Sequence, residues 1–247
     1  MTIPLLIAME CALQVNENLT IYSLVPPDAG QGWKLELFAL AEPIAPHYHK
    51  LQRQMILVAE GDLKAFYEGE TPVSLRSGEI AQVEPGIVHS LIPEGTVRFF
   101  SIDFPGFHFP EDVFYDIPPT VSAWTPPNSE FLPSLDPKYF GQKIDLGSYA
   151  AYELVTGHLT DEKWSLALLE IQDSPRHFHR IEKEIFVIVG GELDIEIEGK
   201  HRKLGIGESI AIFPNQVHHL KSAGREPVRV LCFSFPAFDP SDMYCLD

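Results

Sequence analysis

Six of the ten histidines in the chain fall into two matching sets whose spacing could hold a metal ion. The first is His47-Tyr48-His49 with His89 downstream; the second is His177-Phe178-His179 with His218 downstream. On a strand, residues i and i+2 share a face, so each His-x-His pair points both imidazoles one way and Tyr48 or Phe178 the other. The third histidine of each set must arrive from another strand. In the second set Glu184 lies five residues past His179, far enough to come from the same strand after a bulge or from its continuation. Three neutral imidazoles and one carboxylate suit a divalent iron, manganese, nickel, zinc or copper ion without selecting among them. With such a metal five- or six-coordinate, four protein ligands leave one or two positions for water, dioxygen or substrate. An open position separates a catalytic centre from a closed structural one. The competing reading is a metal-free binding or storage protein whose histidines are only hydrogen-bonded.

The first set differs where it matters chemically. Gln54 stands where Glu184 stands in the second, so that centre has one negative charge fewer and a weaker oxygen ligand. His47, His49, Gln54 and His89 could still hold a divalent ion, but the sequence points to His177, His179, Glu184 and His218 as the working centre. Phe186 and Ile188 share the strand phase of Glu184 and are expected to line an apolar pocket beside it. His219 should face away from the ligands. Trp33 and Trp164, each just ahead of a motif strand, read as packing residues. Arg98 and Arg229, at equivalent places, read as surface residues, and Arg180 as a group that could meet an anionic substrate at the mouth. No Gly-rich phosphate loop, Ser-His-Asp order or Cys-x-x-Cys pair competes with the histidines.

The elements that position these residues occur twice. Counterparts lie 129–131 residues apart, from the His-x-His pairs through to Phe104-Pro105 and Phe235-Pro236. An offset that drifts so little describes a duplicated domain with small loop changes. Within each copy the pattern is that of strands. Leu193, Ile195 and Ile197 alternate with Asp194, Glu196 and Glu198, and Gly69 and Gly199 close matching strands as turn residues. Short strands with Gly and Pro turns indicate an all-β sandwich or barrel. Eight prolines fall between Pro105 and Pro137 among several aromatics, which reads as an irregular but packed connector. A helical turn near Pro110–Phe114 or Pro137–Phe140 would fit within it, and the tail from Pro240 reads as surface or as a clamp on a neighbouring barrel.

His-x-His, four residues, Glu, six residues, Gly, then Gly, a strand, Pro, three residues and His resembles the paired motifs of the cupin superfamily. Both motifs occur in both halves, over roughly residues 33–105 and 164–236, so the chain resembles a two-domain cupin, a bicupin. The resemblance implies two double-stranded β-helix (jelly-roll) barrels: an N-terminal one in residues 1–105, a connector in 106–145 and a C-terminal one in 146–247. It departs from the family pattern at Ala41 and Ile171, at Pro93 and Ser222, at Asn215, and above all at Gln54. For many bicupins with three His and one Glu the resemblance implies dioxygenase chemistry, with Glu184 as ligand and proton acceptor. A Lewis-acid isomerase, lyase or decarboxylase of a sugar or keto acid is the second expectation, and a non-catalytic small-molecule binder the third.

Composition agrees. A chain of 247 residues has room for two domains of ordinary size. A formal charge of −17 would repel nucleic acid and anionic membranes, leaving a small-molecule substrate as the expected partner and a monomer or homodimer as the expected state. No run is as long as the roughly 18–20 apolar residues of a membrane span, and the apolar start, with no basic residue before Leu5, is too short for a secretory signal. Three scattered cysteines fit a reducing, cytoplasmic setting.

Overall fold

The structure is a computed structural model that describes residues 12–16, 18–25, 33–105, 113–114 and 143–246. The chain separates into two compact units, one N-terminal and one C-terminal. Each is all-β, in the double-stranded β-helix manner, and among the described residues the only helical elements are short 3-10 turns such as Gly157–Thr160 and Pro240–Asp242. No helix among them is long and apolar enough to cross a membrane.

The C-terminal unit is two antiparallel sheets. One runs Lys143–Asp145, Tyr149–Val155, Ser165–Ile171, Val228–Phe235, Lys183–Gly190 and Ser209–Ile212 in that order. The other runs Lys200–Leu204, Leu193–Ile197, His218–Ser222, His177–His179 and Met243–Cys245. Alternation explains why two sheets enclose one core. Leu193 and Ile195 are buried while Asp194 and Glu196, which alternate with them, keep part of their surface in water. The buried faces bring Phe186, Ile188, Ile195, Ile212, Leu220, Val230 and their neighbours into one apolar cluster. Burying an apolar side chain of this size contributes on the order of 1.5–3 kcal/mol.

The N-terminal unit repeats this pairing with fewer breaks. Arg53–Tyr67 and His89–Phe104 are single long strands where the C-terminal unit has two shorter ones each. Gly61 takes the bend in the first, at φ +85°, where the register with the partner strand slips on either side of Glu60. Its backbone comes so close to Val97 and Thr96 that a Cβ would lie 2.8 Å from the Thr96 carbonyl oxygen. Only glycine meets both demands there. Gly69 and Gly199 take positive φ at matching turns, as the alternation predicts. Trp33 and Trp164 are buried packing residues.

Four expectations need correction. Glu184 does not continue the His-x-His strand: the chain crosses from one sheet to the other at residues 180–182, so His179 and Glu184 approach from opposite walls. Arg229 is buried rather than superficial, unlike Arg98, which is exposed and paired with Glu60 at 3.0 Å. The place of Glu60 is taken by Gly190, over which the Arg229 guanidinium lies, with the Glu170 carboxylate nearby. Val113–Phe114 is a strand paired with Tyr48–His49 and not part of a helical turn. The tail lies mostly at the surface but is not a clamp on a neighbouring barrel: Met243–Cys245 pairs with His177–His179 of its own unit. The rest of the connector, including Pro137–Phe140, lies outside the described residues.

Candidate metal centres

In the C-terminal unit His177 and His218 face each other as register partners on neighbouring strands, and His179 stands two residues along on the same face as His177. Glu184 comes from the opposite sheet, paired with Ser234 and Ile212. The two walls bring one donor atom from each of the four residues to within 4.8 Å of one another, and all four side chains are buried. Glu184 Oε2 lies 3.0 Å from His218 Nε2 and 3.5 Å from His179 Nε2, yet these atoms make no aligned hydrogen bond with one another. They converge on a common point instead.

The remote ring nitrogens show how that aim is fixed. His177 Nδ1 lies 2.8 Å from the Pro175 carbonyl oxygen and His218 Nδ1 3.0 Å from that of Gln216. A carbonyl can only accept, so Nδ1 carries the proton and Nε2 keeps its lone pair for the centre. Buried, converging lone pairs of three imidazoles and a carboxylate fit a divalent transition metal.

The electrostatics follow from burial and proximity. Burial, helped by the neighbouring His218, lowers His177 to about 4. Burial likewise lowers His179. Burial alone would lift Glu184, but His218 beside it, then His179 and His177, pull it below the ordinary carboxylate range. His218 shows the reciprocal effect, raised because Glu184 outweighs its desolvation.

Sequence reasoning missed Glu182. It is buried at 2% exposure, and its Oε2 lies 3.3 Å from His179 Nδ1, on the far side of that ring from the centre. Burial and then the Glu184 charge push it up to about 8, so it is protonated at neutral pH. The turn that presents it is held by Asp242, whose carboxylate accepts the backbone N–H groups of Arg180, Ile181 and Glu182 at 3.0–3.2 Å. In sequence Glu182 looks like one more surface acid. Its only signal is the run of strand-forming residues Ile185–Val189 that begins three positions on.

Other expected residues divide. Phe186 lies against the His218 ring at 6.3 Å between centroids, and Ile188 packs in the same apolar cluster, so Phe186 is the nearer of the two pocket residues. His219 turns away to Asp173 at 2.6 Å. Arg180 stacks on Tyr244, its guanidinium 4.3 Å from the ring centroid.

The N-terminal unit brings His47, His49 and His89 together in the same way, all buried, with His47 and His89 as register partners. His47 Nδ1 lies 2.8 Å from the Ala45 carbonyl oxygen and His89 Nδ1 3.1 Å from that of Ile87. Gln54 Oε1 is 3.1 Å from His89 Nε2, and Gln54 Nε2 donates to Ser101 Oγ at 2.9 Å. Burial and the nearby His47 lower His89 to about 3. Behind the amide, Ser101 donates to Asp103 at 3.0 Å, and buried Lys34 lies 3.8 Å from Asp103 and 2.7 Å from Glu36. Burial lifts Asp103 to about 7 against the pull of Lys34.

Residues 168–234 match the Cupin domain family. No curated protein matches the chain. Among solved structures, the formate complex of oxalate decarboxylase from Lactobacillus farciminis is 13% identical, with a TM-score of 0.41 over 97% of this chain and 87% of that one. Oxalate decarboxylase from Bacillus subtilis, in a structure devoted to its Mn(II) centres, is 11% identical, with a TM-score of 0.41 over 97% of this chain and 78% of that one. Its structure at pH 4.6 is 12% identical, with a TM-score of 0.39 over 90% and 73%. At such scores these likenesses carry no argument about reaction or substrate. The family match spans the strands that bear His177, His179, Glu184 and His218, so over residues 168–234 the C-terminal unit is similar to the Cupin domain family.

Proposed function

We propose that the protein is a metal-dependent enzyme acting on a small oxygenated organic molecule, with its working centre at His177, His179, Glu184 and His218. The observation that supports this most is the convergence of four buried donors from two facing sheets, with the imidazoles of His177 and His218 locked in the ligating tautomer. Within this reading dioxygenase chemistry comes first. One carboxylate among the ligands leaves a divalent ion with net positive charge, which favours an anionic, chelating substrate. A bound redox-active metal would supply the one-electron chemistry that dioxygen requires. The chain's own part is to orient and shelter. His177 and His218 stay fixed by their carbonyl partners, and Phe186 and the apolar cluster behind it limit water at the centre. Glu184 ligates and is the group placed to take up a proton there.

The same reading takes the two units as copies of one ancestral barrel, bounded near residues 105 and 146, with chemistry kept in the second. The net charge of −17 supports a small-molecule partner rather than nucleic acid or a membrane, in the cytoplasm. The deciding experiment is metal analysis of the purified protein, followed by oxygen-consumption assays with catechols, flavonols and keto acids. Iron or another redox-active metal together with oxygen uptake is the expected result. Zinc alone, with no oxygen uptake, would reject the dioxygenase and favour Lewis-acid isomerase, lyase or decarboxylase chemistry at the same residues.

A further inference from the structure

The N-terminal centre holds a conflict that its own hydrogen bonds do not resolve. A neutral imidazole has one N–H, yet both ring nitrogens of His89 face oxygen atoms at 3.1 Å, the Ile87 carbonyl and the Gln54 amide oxygen. One of those contacts therefore sets acceptor against acceptor. Turning the Gln54 amide over would bring an N–H to His89, but its NH2 group is already spent. Ser101 gives its single proton to the Asp103 carboxylate, so its oxygen must accept, and Gln54 Nε2 is what donates to it. The series starts from Asp103 in its charged form, which Lys34 at 3.8 Å favours and burial opposes, so it prevails above about pH 7.

The C-terminal centre is built otherwise at the same places. Cys232 stands for Ser101 and Ser234 for Asp103, and the carboxylate belongs to the ligand Glu184 itself. Each centre thus has one buried carboxylate along this line of side chains, in the ligand in one case and two hydrogen bonds behind it in the other. A cation placed between Gln54 Oε1 and the His89 lone pair would turn the opposed acceptors into two ligands.

We propose that Asp103 and Ser101 are positioning residues for the N-terminal centre, holding the Gln54 amide with its oxygen toward His47, His49 and His89, so that an uncharged three-imidazole, one-amide set takes a divalent transition cation of its own. This rests on the metal-binding reading of the histidine sets, but not on any activity of the C-terminal centre.

The test uses the full chain carrying His177→Ala and His179→Ala, so that only the N-terminal centre reports, stripped with chelator and titrated with Co(II) at about pH 8, read by visible absorption. One Co(II) should bind. Ser101→Ala should weaken binding by about 10–100-fold, the usual cost of losing an orienting partner, and Gln54→Ala, which removes a proposed ligand, by more. The decisive comparison is Ser101→Ala made together with Gln54→Glu. A carboxylate has two equivalent oxygens and needs no orienting, so this double variant should bind within about threefold of Gln54→Glu alone. An equal loss from Ser101→Ala in both backgrounds would make Ser101 merely structural and overturn the proposal. So would a failure of the parent chain to bind Co(II), or indifference to Gln54→Ala. None of these outcomes touches the C-terminal centre, which is assayed in the unsubstituted chain.

Discussion

His218 and Glu184 form the most telling pair in the molecule at the scale of single residues. Each stabilises the charged form of the other, so at His218 a cation competes with a proton that Glu184 helps to hold. Calorimetric titration with a divalent metal, in buffers of different ionisation enthalpy, should therefore report proton release that grows as the pH is lowered. Glu184→Ala or His177→Ala removes a ligand outright and should weaken metal binding at this centre by more than the roughly 10–100-fold that a lost outer partner costs. Equilibrium dialysis would measure it. His89 predicts a pH effect on stability. The folded chain keeps it neutral down to about 3, whereas the ordinary value is 6.5. Its contribution is fully present above the ordinary value and is lost as pH falls toward the folded one. By about pH 5 the loss is on the order of 2 kcal/mol from this group. In chelator-treated protein, His89→Asn should flatten the drop in melting temperature between about pH 7.5 and pH 5. The clustering of the histidines was legible in the sequence because His-x-His spacing has one geometric meaning on a strand. Glu182 and Asp103 were not, since an acid shows in sequence as charge while its burial depends on strands distant in the chain.

Elements carry a different kind of prediction. Gly61 combines a left-handed backbone with close approach to Thr96, whereas Gly69 has the same backbone sense in open space. Gly61→Ala should cost roughly 2–3 kcal/mol and Gly69→Ala about 1 kcal/mol. Urea denaturation of the two variants would separate backbone strain from collision, and equal costs would mean that the strand edge gives way at Thr96. Strand content and turns were legible at this scale because two-residue alternation and glycine placement are local. The crossing at residues 180–182 was not. Between His179 and Glu184 no proline or glycine marks a change of sheet, and what holds that turn is Asp242, supplied by a distant part of the chain. Arg229 was misjudged for a similar reason: its burial depends on Gly190, a partner on another strand.

For the whole molecule, two compact units, each with its own core, argue against a single unfolding transition. Metal at about a hundred times its Kd should stabilise the unit that binds it by about 2.7 kcal/mol, which raises that unit's Tm by on the order of 10 °C. Scanning calorimetry of the stripped and loaded chain should show one component moved by the C-terminal centre, and His177→Ala should abolish that movement alone. The repeated motifs were plain in the sequence because their spacing is nearly constant, and the family match falls on the second set. The Asp242 contacts have a consequence in time. This carboxylate reaches back 60–62 residues to the N–H groups behind the ligand strand. A ribosome makes His177, His179, Glu184 and His218 before it makes Asp242. At about 5–20 residues per second the last donor precedes the clamp by a few seconds. For that interval the nascent chain owns all four metal donors but not the contact that holds their turn, so the centre first meets ions of the cell in a looser form than the one it keeps.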